Sequence, residues 1–189
     1  MNKVVHFDKE IVALTSLEIL LHCLKSVKNQ DSYWQWIFIS LHNAVQCFMV
    51  LTLTGSNSLN TYTEKDAKRL LESYKKGEPS PTVRLDYYLS LYERTKTELM
   101  LIYANSKLFS PQGTQDDNIQ RLNDLRNQFV HFQYDFSSII LDDTPFQIVI
   151  DCLDYIEFLA FESNNIVWFN IENANNSRLL IDRCKAEII

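Results

Sequence analysis

The sequence predicts an all-α bundle of six to seven helices, folded as a single domain over residues 1–189, and three observations carry that prediction. Apolar residues recur at helical spacing along most of the chain, as at Ile11, Leu14, Leu17, Leu21 and Leu24. Glycine and proline, with 3 and 4 copies in 189 residues, are too scarce for the turns that a many-stranded sheet requires. The apolar content of 46% supports one sizeable core, and the length is short for two ordinary domains.

The first helix is expected over residues 8–27, with Asp8 or a neighbour as its cap. After the polar turn Lys28-Asn29-Gln30, Asp31 or Ser32 can cap a second helix that runs to about Thr54 and is closed by Gly55. It is apolar nearly all round, which predicts a helix buried among several others. Residues 55–62 read as a polar loop. Thr63 then offers a cap and Glu64 and Asp66 an acidic first turn for a third helix ending near Gly77. The run Gly77-Glu78-Pro79-Ser80-Pro81 breaks the chain, and a fourth helix is expected over residues 83–104. Its tyrosines Tyr87, Tyr88 and Tyr92 stand at helical spacing and read as core rather than as a base-stacking platform. Residues 105–116 form the expected flexible loop. Asp116 or Asp117 caps a fifth helix reaching about Gln133, and residues 134–141 are read as a short extended segment. Thr144 as cap and Pro145 at the first helical position open a sixth helix that continues to about Glu162. A short last helix is expected over residues 176–187, after an Asn-rich turn at residues 173–176.

Several function classes are excluded by composition. The net charge is −6 and the pI about 5.2, so the chain lacks the basic footprint of a protein that coats nucleic acid, and any RNA binding must be local. The basic cluster Lys65, Lys68, Arg69, Lys75 and Lys76 is interspersed with acids and reads as a solvated helix face. The four cysteines, Cys23, Cys47, Cys152 and Cys184, form no C-x-x-C pair and read as small core residues, with no metal or cofactor site among them. No basic-then-apolar leader opens the chain, and a reducing, cytoplasmic location is expected. The apolar run over residues 36–53 contains His42, Asn43 and Gln46 and is read as the centre of a bundle, without membrane attachment. A P-loop, a G-x-G-x-x-G fingerprint and an H-E-x-x-H helix are absent, and no D-x-D pair follows Gly55-Ser56, so nucleotide-driven chemistry is not predicted.

The feature that points to chemistry is Arg126-Asn127-x-x-x-His131, late in the chain on the fifth predicted helix. Leu122, Leu125, Phe129 and Phe132 follow the i, i+3, i+7, i+10 rule and mark the buried stripe. At about 100° per residue, Asn127 and His131 lie roughly opposite that stripe, one turn apart, with Arg126 on the flank. RNA carries its own nucleophile in the 2′-OH, so its backbone breaks without a metal if protons are moved and charge on phosphorus is stabilised. Histidine suits the first task near neutral pH and the arginine fork suits the second. Asn127 can orient the imidazole or bond the phosphate. Arg126 and His131 stand about 140° apart on an ideal helix, which predicts poor convergence within one protomer and a site shared across a two-fold axis. His42 reads either as a hydrogen-bonded structural histidine or as a support for this site.

This segment resembles the signature of HEPN domains, in which Arg, a polar residue, a short spacer and His occur in an all-α chain. The resemblance implies a compact helical bundle that dimerises and brings two motifs to a shared cleft. It also implies metal-independent endoribonuclease activity of the kind found in toxin–antitoxin, phage-defence and RNA-processing systems, with an antitoxin or nucleotidyltransferase as partner. Arg126, Asn127 and His131 would be the catalytic residues. Other members of that family only bind, so a non-catalytic module recognising a protein partner or a nucleotide is the alternative. A purely structural bundle with a coincidental motif is the third reading.

Overall fold

The computed structural model describes residues 4–131 and 139–188. It is all-helical: α1 (Lys9–Ser26), α2 (Trp34–Leu53), α3 (Glu64–Lys76), α4 (Tyr88–Thr95), α5 (Gln115–His131), α6 (Asp143–Glu157) and α7 (Ile171–Ala186). Short 3-10 turns precede α2 and α3 and follow α4, and a π turn over Phe158–Glu162 extends α6. Phe132 and most of the extended segment expected over residues 134–141 lie outside the described residues.

The hub is α2, which packs against α1, α4, α5 and α6, while α7 lies along α1. Ile37, Phe38, Leu41, Val45, Phe48, Met49 and Leu53 of α2 are all fully buried, so its nearly unbroken apolar surface is accounted for by neighbours on several sides. Residues 31–53 are long and apolar enough to cross a membrane, yet 67% of an 18-residue apolar window within them is buried inside the bundle, as in a central core helix. Gly55 ends this helix with a positive φ of 50°, and a Cβ there would stand 3.0 Å from Ile102 Cγ2, so the close turn suits glycine.

Caps explain most boundaries. Asp8 accepts from the Ile11 amide, Thr63 from the Asp66 amide and Asn170 from the Glu172 amide, and Gly77 closes α3 in the left-handed region.

Four expectations are corrected. The fourth helix does not span 83–104 but is held to eight residues. The chain before it is extended instead: Leu85 bridges Tyr62, the Asp86 amide donates to the Thr61 carbonyl, and the Arg84 amide donates to Asp66. The loop expected to be flexible is pinned, with Phe109 buried against Tyr155 and Phe158 and its amide bonded to the Thr95 carbonyl. α6 is capped by Asp142 rather than Thr144, which places Pro145 inside the first turn, where its missing N–H has no helical partner to lose. α7 starts at Ile171, so the Asn-rich stretch is helical. Burial of Ala174, Ser177, Leu180, Ile181 and Cys184 outweighs the weak helix preference of asparagine there.

Candidate active site

α5 is anchored at its start by a carboxylate on α6. Asp151 Oδ2 accepts from the Thr114 hydroxyl at 2.7 Å and from the buried Asn118 amide at 2.6 Å, and Asp151 Oδ1 accepts from Gln147 at 2.7 Å. Ile119 and Leu122 seal the helix into the core, and the helix begins at Gln115, one residue before the expected acidic cap. Leu125 and Phe129 are half-buried, with the Phe129 ring parallel to Phe38 at a centroid distance of 6.4 Å. The apolar stripe is therefore present, but it thins toward the end that carries the motif.

That end brings the motif together. Arg126 Nη1 donates to Asn127 Oδ1 at 3.0 Å and stands 3.4 Å from His131 Nε2. A guanidinium has donors only, so in this contact His131 Nε2 can serve only as an acceptor. The expected failure of Arg126 and His131 to converge within one protomer is corrected: the long arginine side chain spans the angular gap along the last turn of α5. In this arrangement Asn127 bonds Arg126 rather than the His131 imidazole. Its carbonyl oxygen holds the guanidinium in place.

The trio stands at the edge of a cleft. Arg126 and Asn127 are half-buried and His131 is exposed. Together they line a cleft of about 420 Å³, whose floor is His42 and Gln46 of α2 and whose far wall is the segment of residues 85–89 leading into α4. That wall is rigidly tied: Asp86 is paired with Arg94, which also donates to the carbonyls of Asn60 and Tyr62 at 2.8 Å. Among the tyrosines read as core, Tyr88 and Tyr92 are buried, whereas Tyr87 is 79% exposed at the cleft.

His42 is 5% exposed. Its ring stacks on Tyr88 at 4.0 Å with the planes 18° apart, and its Nε2 lies 3.4 Å from Asn123 Oδ1. Burial, reinforced by the positive charge of Arg126, lowers its pKa to about 4 against the opposing bond from Asn123. At neutral pH it is an uncharged imidazole beneath a permanent cation. Of the two readings the sequence left for His42, the structure combines both, since the ring is packed and also lines the site. Most of the far wall falls within the stretch whose spacing predicts a helix over residues 83–104, and the signal against a helix there is the β-branched pair Thr82-Val83, which favours extended backbone.

Among the described residues no three His, Cys, Asp or Glu side chains are gathered in a way that would hold a metal ion. The basic side chains of α3 are exposed and far from forming a patch of their own, with Lys68 paired to Glu64 and Arg69 to Asp66. Comparison with protein-family models, with curated proteins and with solved structures finds no match to this chain.

Proposed function

We propose that this chain is a metal-independent endoribonuclease of HEPN type, acting as a homodimer in the cytoplasm within a toxin–antitoxin or phage-defence setting. The single observation that supports the chemistry is the Arg126 guanidinium bonded to Asn127 and in contact with His131 at the mouth of a cleft. In the proposed reaction His131 takes the proton of the 2′-OH, the 2′-oxygen bonds to phosphorus, and the P–O5′ bond breaks. The 5′-oxygen takes a proton from water as it leaves, and a 2′,3′-cyclic phosphate remains. Arg126 stabilises the charge that builds on the phosphoryl oxygens. Asn127 keeps the guanidinium in register, a task that matters because a displaced clamp loses its advantage steeply.

Self-association is supported by an exposed apolar face beside the motif. Ile19 of α1, Trp36 of α2 and Val130 of α5 are exposed around a groove of about 300 Å³ that reaches Arg126. A two-fold contact on this face would set the two clefts side by side. The net charge of −6 favours the second reading, a non-catalytic module for a protein partner. An RNA cleavage assay separates the two: cyclic-phosphate products lost in Arg126→Ala and in His131→Ala support the nuclease, and intact RNA with the wild-type chain supports the module.

A further inference from the structure

We infer that the wall of the cleft facing Arg126 is a base-stacking subsite for one unpaired RNA nucleotide, with Tyr87 as its platform; this rests on the nuclease reading and names its substrate as single-stranded RNA. Two elements line the cleft above His42 and Gln46: α5 brings Asn123, Arg126, Asn127 and His131, all suited to a phosphate and its hydroxyl neighbours, and the segment of residues 85–89 brings Leu85, Tyr87 and Leu89 together with Asp86 and Tyr88.

Of the three neighbouring tyrosines, Tyr88 and Tyr92 are buried in the bundle, so the exposure of Tyr87 is particular to this position. Its backbone is held, because its amide donates to Asp86 Oδ1 at 2.8 Å and Asp86 is paired with Arg94. That pairing also neutralises the carboxylate nearest the wall, which would otherwise repel a phosphodiester. A tyrosine ring on a fixed backbone presents a flat face with little side-chain entropy to lose. Base–aromatic stacking of this kind is tolerant of sequence, since every base has a π-face. In a duplex both faces of each base are covered by neighbours, and no face is free for Tyr87. The volume, at the small end of the roughly 300–1,000 Å³ of ligand pockets, suits one nucleotide.

The test is fluorescence anisotropy with a labelled, unstructured 2′-O-methyl oligoribonucleotide, which cannot be cut, free and annealed to its complement, at fixed low salt. The single strand is expected to bind wild-type protein more tightly than the duplex. Tyr87→Ala should weaken single-strand binding roughly 5- to 150-fold, the range of a lost stacked base, while Tyr87→Trp retains it. Because the residue is exposed, both variants should melt like the wild type, and the tryptophan variant separates loss of stacking from any local rearrangement. Wild-type affinity in Tyr87→Ala, or equal affinity for strand and duplex, overturns the subsite and leaves the nuclease reading standing. Failure of the wild-type chain to bind either probe overturns both. Adenosine monophosphate competing at the same concentration as the oligonucleotide would make the cleft a mononucleotide site and overturn the strand assignment.

Discussion

His42 shows how one side chain couples the core to the cleft. It is neutral because it is buried and because Arg126 lies nearby, and protonating it would place two cations in a poorly solvated floor. An unfolded histidine titrates near 6.5 and His42 near 4, so between these values the unfolded chain binds more protons and stability rises with pH. The contribution is fully present above about pH 6.5, is lost as pH falls toward 4, and amounts to about 3 kcal/mol at most. Thermal melts from pH 7 to pH 4 should therefore fall steeply for the wild type and less steeply for His42→Gln. Parallel curves for the two proteins would show that His42 does not carry this dependence. The acids held below their ordinary range, Glu64 by Lys68, Asp66 by Arg84, Asp116 by Lys96, Asp142 by the Thr144 amide and Glu187 by Lys28, add their own loss of stability at the lower end of this window, and because both proteins share it, it cancels in the comparison.

At the scale of elements, the motif depends on how α5 is moored. The Asp151 carboxylate receives three hydrogen bonds from Thr114, Asn118 and Gln147, and Asn118 is itself buried. Asp151→Ala leaves the Asn118 amide without its acceptor and is expected to cost about 2–4 kcal/mol, read as a shift in the denaturation midpoint. Phe129→Ala should cost less, roughly 1–3 kcal/mol, because the ring is half-buried on Phe38, where a fully buried ring would lose about 3–5. A midpoint in Asp151→Ala equal to the wild type would remove the mooring argument.

These elements also show what the sequence makes legible. α1 and α3 follow from apolar periodicity plus a capping residue, signals that are local and that Asp8, Thr63 and Gly77 supply, whereas α2 follows from its apolar run alone, because the cap expected at Asp31 or Ser32 is not formed and Tyr33 stands at its N-cap without a side-chain bond. The short α4 does not follow, because what stops it is tertiary: Tyr62, Thr61 and Asp66 capture residues 84–86 from across a loop. The same cause hides half of the site. Arg126, Asn127 and His131 are recognisable as a pattern on one helix, whereas the opposing wall and the exposure of Tyr87 exist only once that distant capture is made. The buried Phe109 is another such case, a lone aromatic in a polar loop that carries no periodicity to reveal it.

For the whole molecule the central claims are association and chemistry. The apolar face of Ile19, Trp36 and Val130 predicts a dimer, and Trp36→Glu should dissociate it by placing a charge at a residue that is 50% exposed in the protomer. Light scattering at micromolar concentration checks this, and a wild-type chain that is monomeric throughout removes the shared-cleft arrangement. The most direct measurement of the account is cleavage of RNA in EDTA by the wild type, Arg126→Ala and His131→Ala, with melting temperatures taken alongside. Wild-type cleavage is expected to survive chelation and to fall by at least ~10²-fold in each variant, as for removal of a proton-transfer group or a charge partner, with melting temperatures unchanged. Cleavage that stops with EDTA and returns with Mg²⁺, or that persists in both variants, would contradict the assignment of catalysis to Arg126 and His131.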